Sequence, residues 1–96
     1  MVRIIGGNRG RVELKRNEEW GTICDDEWDM NDGKVICRMM GFSRAVGTYT
    51  AGGGVGKIWL DDVKCTGNEL SIVACPKSDW EKHNCNHGED AGVECA

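Results

Sequence analysis

This 96-residue chain is poor in proline, in aromatic residues and in long apolar segments. It has one proline, and aromatic residues make up 6% of the sequence. No stretch approaches the roughly 18 apolar residues that span a bilayer, so we expect no membrane insertion by this domain. Apolar residues form only 40% of the chain, which predicts a thin hydrophobic core. A domain of this size therefore needs a further constraint to fold stably.

Motifs for catalysis and for two common ligand-binding loops are incomplete. A glycine-rich segment resembles a phosphate-binding loop, but Ala51 occupies the position of its first glycine and Ile58 that of its Ser/Thr. The acidic segment 25–36 does not form an EF-hand, because Met30 replaces the loop glycine and Ile36 the final carboxylate. No serine or free cysteine stands in a recognisable nucleophile context. We therefore expect a binding module and not an enzyme.

Cysteine, by contrast, is abundant. Six cysteines are separated by 13, 28, 10, 10 and 10 positions: Cys24, Cys37, Cys65, Cys75, Cys85 and Cys95. Zinc sites favour cysteines two to four residues apart, and this chain has no such pair. His83, Cys85 and His87 alternate as metal ligands can, but they lack a convincing fourth ligand. Three disulfides in an oxidising, extracellular compartment are the better explanation, although spacing alone leaves fifteen connectivities open.

Alternation of polar and apolar residues predicts several strands. In segment 11–15, Val12 and Leu14 face the core, and the solvent-facing side carries a separate set: Arg9, Arg11, Glu13 and Lys15. Further strands are expected at three places: 20–24, 57–63 and 92–95. The glycine-rich segment 47–56 is expected to be a loop or a loose strand connection.

The hydrophobic period changes after the second strand and predicts one helix of about three turns. Asp29 or Asn31 can cap its N-terminus, and Gly41 is a suitable C-terminal stop. An apolar stripe lies between them: Val35, Ile36, Met39 and Met40. A short helix is also expected between the third and fourth cysteines, from three apolar residues: Leu70, Ile72 and Val73. The class is α+β, a small, mostly antiparallel sheet packed on one helix.

The net charge of −4 conceals an uneven distribution. All six arginines lie within the first 44 residues, and segment 1–16 carries five cations against Glu13 alone. From Ala51 onward, four lysines stand against eight carboxylates. We therefore expect one basic and one acidic surface region instead of a uniform field.

Six segments form a specific pattern of order and spacing over about residues 2–95. They are GRVE (10–13), WGTICDD (20–26), VICRMMG (35–41), IWLDDV (58–63), CTGNE (65–69) and CNHGEDAGV (85–93). Together they resemble the scavenger receptor cysteine-rich (SRCR) family, group A, whose domains have six cysteines. The resemblance implies three disulfides: Cys24–Cys85, Cys37–Cys95 and Cys65–Cys75. It also implies one domain over residues 1–96, with a curved sheet cradling one helix. Because the apolar segment after Met1 is too short for a signal peptide, we expect this domain to be a piece of a larger extracellular protein.

The resemblance also implies two cation sites. With a disulfide between residues 24 and 85, Asp25, Asp26 and Glu89 converge and need an arginine partner or a hard divalent cation. From the residues alone, an acidic surface patch salt-bridged to the basic strand is an equally good explanation. The matching residues in family members bind Ca²⁺, so we expect Ca²⁺ here, with Mg²⁺ as the alternative ion. A second site is similarly implied: Asp61, Asp62 and Asn84.

Family members of this type use arginine-rich surfaces to bind polyanions. The matching candidates are the basic strand residues and two arginines on or just after the helix: Arg9, Arg11, Lys15, Arg38 and Arg44. Ordinary solvation of an exposed strand face is the competing explanation of the strand charges.

We therefore interpret the chain as a ligand-recognition module of an extracellular, scavenger-type receptor. Its expected ligands are polyanionic, microbial or modified molecules bound with the help of Ca²⁺, and an oligomeric parent would supply avidity. We expect no base-specific recognition of nucleic acid. The alternative is a protein-docking or structural module of a multidomain extracellular protease or oxidase.

Overall fold

Strand β2 (Arg9–Arg16) is the longest strand and has partners on both of its sides. The computed structural model describes all 96 residues. Its other elements are β1 (Val2–Ile5), β3 (Glu19–Ile23), α1 (Met30–Met39), β4 (Ala45–Thr50), β5 (Lys57–Leu60) and β6 (Ala91–Cys95). Two 3₁₀ turns lie in the C-terminal half: Ile72–Ala74 and His87–Glu89. None of the helices is long and apolar enough to cross a membrane.

The six strands form one curled sheet in the order β4-β6-β2-β3-β5, and β1 adds to β2. β1 pairs with residues 11–14 of β2 on one side, whereas β6 and β3 share the other side. All pairs are antiparallel except β3 with β5, which is parallel. The expected α+β class, a mostly antiparallel sheet with one helix, is confirmed.

The core lies between the sheet and α1. Val12 and Leu14 of β2 are almost fully buried, as their alternation predicts. Val35 and Ile36 of α1 belong to the same cluster, together with Val93 of β6. Burying a side chain of this size stabilises the folded state by roughly 1.5–3 kcal/mol. The helix therefore covers one side of the sheet and leaves the other side of β2 to solvent.

Both ends of α1 are capped as the sequence predicts. Asp29 is the N-cap, and its carboxylate accepts the backbone N–H groups of Asn31 at 2.9 Å and Asp32 at 3.3 Å. The Asp32 carboxylate accepts the N–H of Asp29 in return, at 2.8 Å. At the other end Gly41, with φ +86°, makes the left-handed turn that stops the helix.

Asp32 also ties α1 to the third cysteine. Its second carboxylate oxygen accepts the N–H of Cys65 at 2.8 Å, and the side chain is fully buried. Burial disfavours the charged carboxylate more than the hydrogen bonds from Cys65 and Asp29 stabilise it. Burial therefore raises the pKa of Asp32 to about 6.

Three disulfides close the structure: Cys24–Cys85, Cys37–Cys95 and Cys65–Cys75. This is the pairing that the family resemblance implies, and no cysteine is free. Two of the bonds span 61 and 58 residues and join β3 and α1 to the C-terminal segment. In the chain-entropy model, a loop of that length stabilises the fold by roughly 4 kcal/mol. That is comparable with the whole net stability of a small domain.

Three local features differ from the sequence-based expectations. The sequence predicts a loop or loose connection from residue 47, whereas Ala45–Thr50 forms β4, because pairing with β6 satisfies its backbone despite the glycine content. The expected short helix is only the 3₁₀ turn Ile72–Ala74, and Leu70 is 86% exposed. The pattern did not indicate β1, which is held by its pairing with β2.

We expect Asp32→Asn to change how stability depends on pH. Since the pKa of Asp32 is raised to about 6 in the folded state, the folded protein binds more protons than the unfolded chain between about pH 4 and pH 6. The contribution of Asp32 to stability is therefore complete below that window and is lost as the pH rises through it. Urea denaturation at both ends of the window should show the wild type losing roughly 1–3 kcal/mol more than Asp32→Asn.

The matched control is Asp79→Asn, which changes an exposed carboxylate without a hydrogen bond and should behave like the wild type. Equal pH dependence in Asp32→Asn and the wild type would contradict the assignment.

Candidate functional site

The solvent-facing side of β2 has a buried carboxylate at its centre. Glu13 is only 6% exposed, whereas the sequence pattern predicts a solvated side chain. Arg3, directly opposite on β1, and Arg11, two positions along β2, both contact it. Their Nε atoms donate to the Glu13 carboxylate at 2.9 and 3.0 Å. Pairing with β1, which the pattern did not indicate, is the reason for this difference.

The two arginines decide the ionisation of Glu13. Burial raises the pKa of this carboxyl group, but the hydrogen bonds and charges of Arg3 and Arg11 outweigh burial and lower it overall. Glu13 is therefore a carboxylate at neutral pH. It fixes two arginine side chains on the surface of the sheet.

The cations on this side of the sheet all have acidic partners. We call four residues the sheet basic face: Arg3, Arg9, Arg11 and Lys15. Their partners are three glutamates: Glu13, Glu18 and Glu94. Arg3 and Arg9 also stack on aromatic rings, with guanidinium-to-centroid distances of 3.9 and 4.3 Å. Arg3, Arg9 and Arg11 are thus held in place, and the three carboxylates leave the four cations a local net charge of +1.

Arg38 and Arg44 lie apart from the sheet basic face. Arg38 is in the last turn of α1, which packs on β4 and β6 from the core side of the sheet. Both arginines line a cavity of about 240 Å³ together with Lys34 and Phe42. The five arginines and lysines expected to bind ligand are therefore divided between two surfaces.

Acidic side chains converge where the Cys24–Cys85 disulfide joins the end of β3 to the C-terminal segment. Carboxylate oxygens of Asp26 and Glu89 lie within 4.8 Å of each other, next to the disulfide. Asp25 precedes Asp26, and its carboxylate accepts a hydrogen bond from the Thr50 hydroxyl. The disulfide sulfurs carry no thiolate, so the carboxylates are the metal-ligating groups available here.

Asp26 belongs to a second acidic group as well. Its carboxylate and those of Asp61 and Asp62 lie within 4.8 Å of one another. The parallel pairing of β3 with β5 explains this arrangement, because both strands end at the same edge of the sheet. Asn84 contributes its backbone N–H to Asp61, while its side-chain oxygen lies 3.6 Å from the Sγ of Cys85.

The five carboxylates at this edge have no basic partner. None of them lies within 4 Å of a lysine, arginine or histidine nitrogen. Burial and the charges of neighbouring carboxylates, Glu89 first, raise the pKa of Asp26. Burial, with the charges of Asp62 and Asp26, also raises the pKa of Asp61. These carboxylates are therefore groups that could hold a cation, and they form no salt bridge to the basic strand.

A histidine–aspartate contact next to this cluster was not singled out in the sequence. Asp90 is fully buried and accepts the N–H of Gly54 at 2.7 Å, and His87 Nδ1 lies 3.0 Å from its carboxylate. The other ring nitrogen of His87 is 2.9 Å from the carbonyl of Gly56. Burial lowers the pKa of His87, but these two acceptors outweigh it and raise the pKa overall. The contact anchors the glycine-rich loop beside the turn that carries Glu89.

The comparisons with known sequences agree with this framework. The model of the scavenger receptor cysteine-rich domain matches residues 6–96. The chain is 62% identical over 95 residues to the macrophage receptor MARCO of Mesocricetus auratus, and 59% identical over 96 residues to that of Mus musculus. These alignments cover 98% and 99% of this chain but 20% and 18% of the receptors, so the chain spans about a fifth of their length.

Solved structures show the same fold. The dimeric form of the SRCR domain of mouse MARCO matches with a TM-score of 0.89 at 59% identity. The third SRCR domain of murine neurotrypsin matches with a TM-score of 0.87 at 45% identity. Each match covers 99% of this chain and 94% of the other. The chain belongs to the scavenger receptor cysteine-rich domain family and has its six-cysteine form.

We expect Glu13→Gln to destabilise the domain at neutral pH by roughly 1–2 kcal/mol, since it leaves two arginines without their shared carboxylate. The value is reduced because the Arg3 side chain is 43% exposed. The pKa of Glu13 is lowered from 4.5, so its contribution is present above about pH 4.5 and is lost as the pH falls through the folded-state pKa. Urea denaturation at neutral and at strongly acidic pH measures both effects.

Glu18→Gln is the control, because the Glu18 side chain is 93% exposed and its ion pair should contribute little. A Glu13→Gln deficit that is the same at both pH values would show that packing, and not charge, is responsible.

Proposed function

We propose that this domain is an extracellular, non-catalytic ligand-recognition module that binds polyanionic, microbial or modified ligands with the help of Ca²⁺. The observation that carries the proposal is the pairing of a basic surface, fixed in place, with a carboxylate cluster that has no basic partner. Similarity to the macrophage receptor MARCO over nearly the whole chain supports a receptor role.

The sheet basic face supports the choice of polyanions. Its guanidinium groups are already oriented by Glu13 and by stacking on Trp20 and Tyr49, so binding costs less side-chain entropy. The net charge of the domain is −4, so long-range attraction to a polyanion is weak and binding depends on close contact. Such contacts are strongly sensitive to salt.

The carboxylate cluster fits a hard divalent cation. Ca²⁺ takes oxygen ligands in flexible geometry, and Asp26 and Glu89 supply carboxylate oxygens within 4.8 Å of each other. The Asp25 carboxylate, which the sequence pattern adds to this site, is hydrogen-bonded to the Thr50 hydroxyl and lies outside that group. Asp61 and Asp62 supply the second group, and Mg²⁺ is the alternative ion for either. A bound cation gives an acidic surface the ability to attract an anionic oxygen.

A single domain offers few contacts, so multiple copies on an oligomeric parent would supply avidity. The related SRCR domain of mouse MARCO has been crystallised in a dimeric form, which agrees with this expectation.

A protein-docking role in a multidomain extracellular protein, a protease or an oxidase, is the second candidate. The third SRCR domain of murine neurotrypsin, at 45% identity, shows that the same fold occurs as one of several such domains in one protein.

We expect the charge reversal Arg9→Glu/Arg11→Glu to lower binding of a multimerised domain to a heparin-coated surface at least tenfold, because two cations of the sheet basic face become anions. Arg9→Glu alone is a milder variant, since Arg9 is 58% exposed. Surface plasmon resonance at low and physiological salt measures the change. Lys64→Glu/Lys82→Glu is the control with the same change in net charge. If the variant binds undiminished at low salt, the strand charges only solvate the exposed surface, and the docking role is favoured.

We expect millimolar Ca²⁺ to raise the melting temperature by several degrees. Extracellular Ca²⁺ modules have dissociation constants of roughly 10⁻⁴–10⁻³ M, and a tenfold excess over the constant stabilises the fold by roughly 1.4 kcal/mol. Asp26→Asn should abolish the shift, because Asp26 belongs to both acidic groups, while Glu89→Gln should remove only part of it. Asp79→Asn is the control. A melting temperature that is the same in Ca²⁺ and in chelator would exclude the cation sites.

A further inference from the structure

A second basic surface lies on the helix side of the sheet. Lys34, Arg38 and Arg44 surround a cavity of about 240 Å³, which also contacts Phe42 and Ala45. We call this cavity the helix-end pocket. The helix covers the buried side of β2, and the sheet basic face lies on the opposite side. The two basic surfaces are therefore separate.

The cations of the helix-end pocket have no acidic partner. None of the three lies within 4 Å of a carboxylate, whereas each cation of the sheet basic face does. The negative end of the α1 dipole amounts to only about half a charge, so three full positive charges exceed it. The pocket thus offers more uncompensated positive charge than the surface that the sequence pattern indicates.

Arg38 is held in position without any ligand. Its Nη1 and Nη2 atoms donate to the carbonyls of Glu69 at 2.7 Å and Gly67 at 2.8 Å. A guanidinium has five N–H donors, so others remain for a bound anion. Lys34 lies one helical turn before Arg38 and on the same side of α1. A site arranged in advance loses less entropy on binding.

The size and lining of the pocket select the kind of ligand. Its volume is below the roughly 300–1,000 Å³ of sites for drug-sized molecules, so it accommodates one small group. Arginine and lysine suit the oxygens of a tetrahedral oxyanion. The half-buried ring of Phe42 and the methyl group of Ala45 provide apolar contact beside these cations. The C–H face of a sugar ring matches such a contact.

We propose that the helix-end pocket binds a sulfate or phosphate monoester carried on a sugar unit, as an anion site separate from the sheet basic face. This inference rests on the proposed function and adds to it the chemistry of one ligand unit. A polymer that repeats such groups can contact both surfaces, since the longest dimension of the domain is 30 Å.

The test is a titration of the ¹⁵N-labelled domain with glucose 6-sulfate and glucose 6-phosphate, followed by amide NMR shifts. We expect shifts at Ser43, Arg44 and Ala45 with both esters and none with glucose. Comparing the two esters identifies the preferred oxyanion. Shifts confined to residues 9–15, or none with either ester, would overturn the inference.

The decisive variant is Lys34→Glu/Arg44→Glu, because neither side chain makes a hydrogen bond or ion pair that the fold needs. It should bind the esters roughly ten- to a hundredfold more weakly, the change that corresponds to losing a charge-assisted hydrogen bond. Two control variants should keep ester binding: Lys64→Glu/Lys82→Glu, which has the same net charge, and Arg9→Glu, which changes an exposed cation of the sheet basic face. If the melting curve of the double variant shows that the double variant is unfolded, Arg44→Gln is used instead. Unchanged affinity in the pocket variant would overturn the inference.

The two proposals fail in different ways. A parent domain that binds the heparin surface but no ester, or a pocket variant with full ester affinity, overturns only the pocket. A domain that binds the esters but not the surface overturns only the polyanion function. Binding to neither overturns both.

Discussion

The Cys24–Cys85 and Cys37–Cys95 disulfides are the constraint on which the rest of this domain depends. Each joins an early element to the C-terminal segment across about 60 residues, and so removes much of the entropy of the unfolded chain. The first of them also brings Asp26 and Glu89 to one place, although these residues are distant in sequence. One of the bonds that stabilise this small domain therefore also brings together the acidic group of Asp26 and Glu89.

The charged side chains of this domain differ in whether they have a partner of opposite charge. Glu13 is buried between two arginines and orients them, whereas the carboxylates at the shared end of β3 and β5 have no basic side-chain nitrogen within 4 Å. The helix-end pocket shows the converse arrangement, with three cations that have no carboxylate within 4 Å. Like charges held together in this way repel each other, so both groups lower the stability of the domain as long as no ion of opposite charge is bound.

Features that depend on local periodicity could be predicted from the sequence. They include β2 with its buried Val12 and Leu14, and α1 from its Asp29 cap to Gly41. Features that depend on tertiary pairing could not. The burial of Glu13 requires β1. The presence of Asp26 in both acidic groups requires the parallel pairing of β3 with β5. The disulfide connectivity followed from the family resemblance, since spacing alone leaves fifteen choices. The metal and ligand roles of the site residues stay predictions.

The topology also determines how the domain bears a pulling force. β1 and β6 both run antiparallel to β2 on opposite sides of it, so tension on the two chain ends loads their hydrogen bonds in shear, and many must break together. Once they yield, the disulfides carry the load directly from Cys24 to Cys85 and from Cys37 to Cys95. Residues 38–84 lie outside this covalent path. Asp61 and Asp62 are therefore shielded from tension even when the sheet is pulled apart.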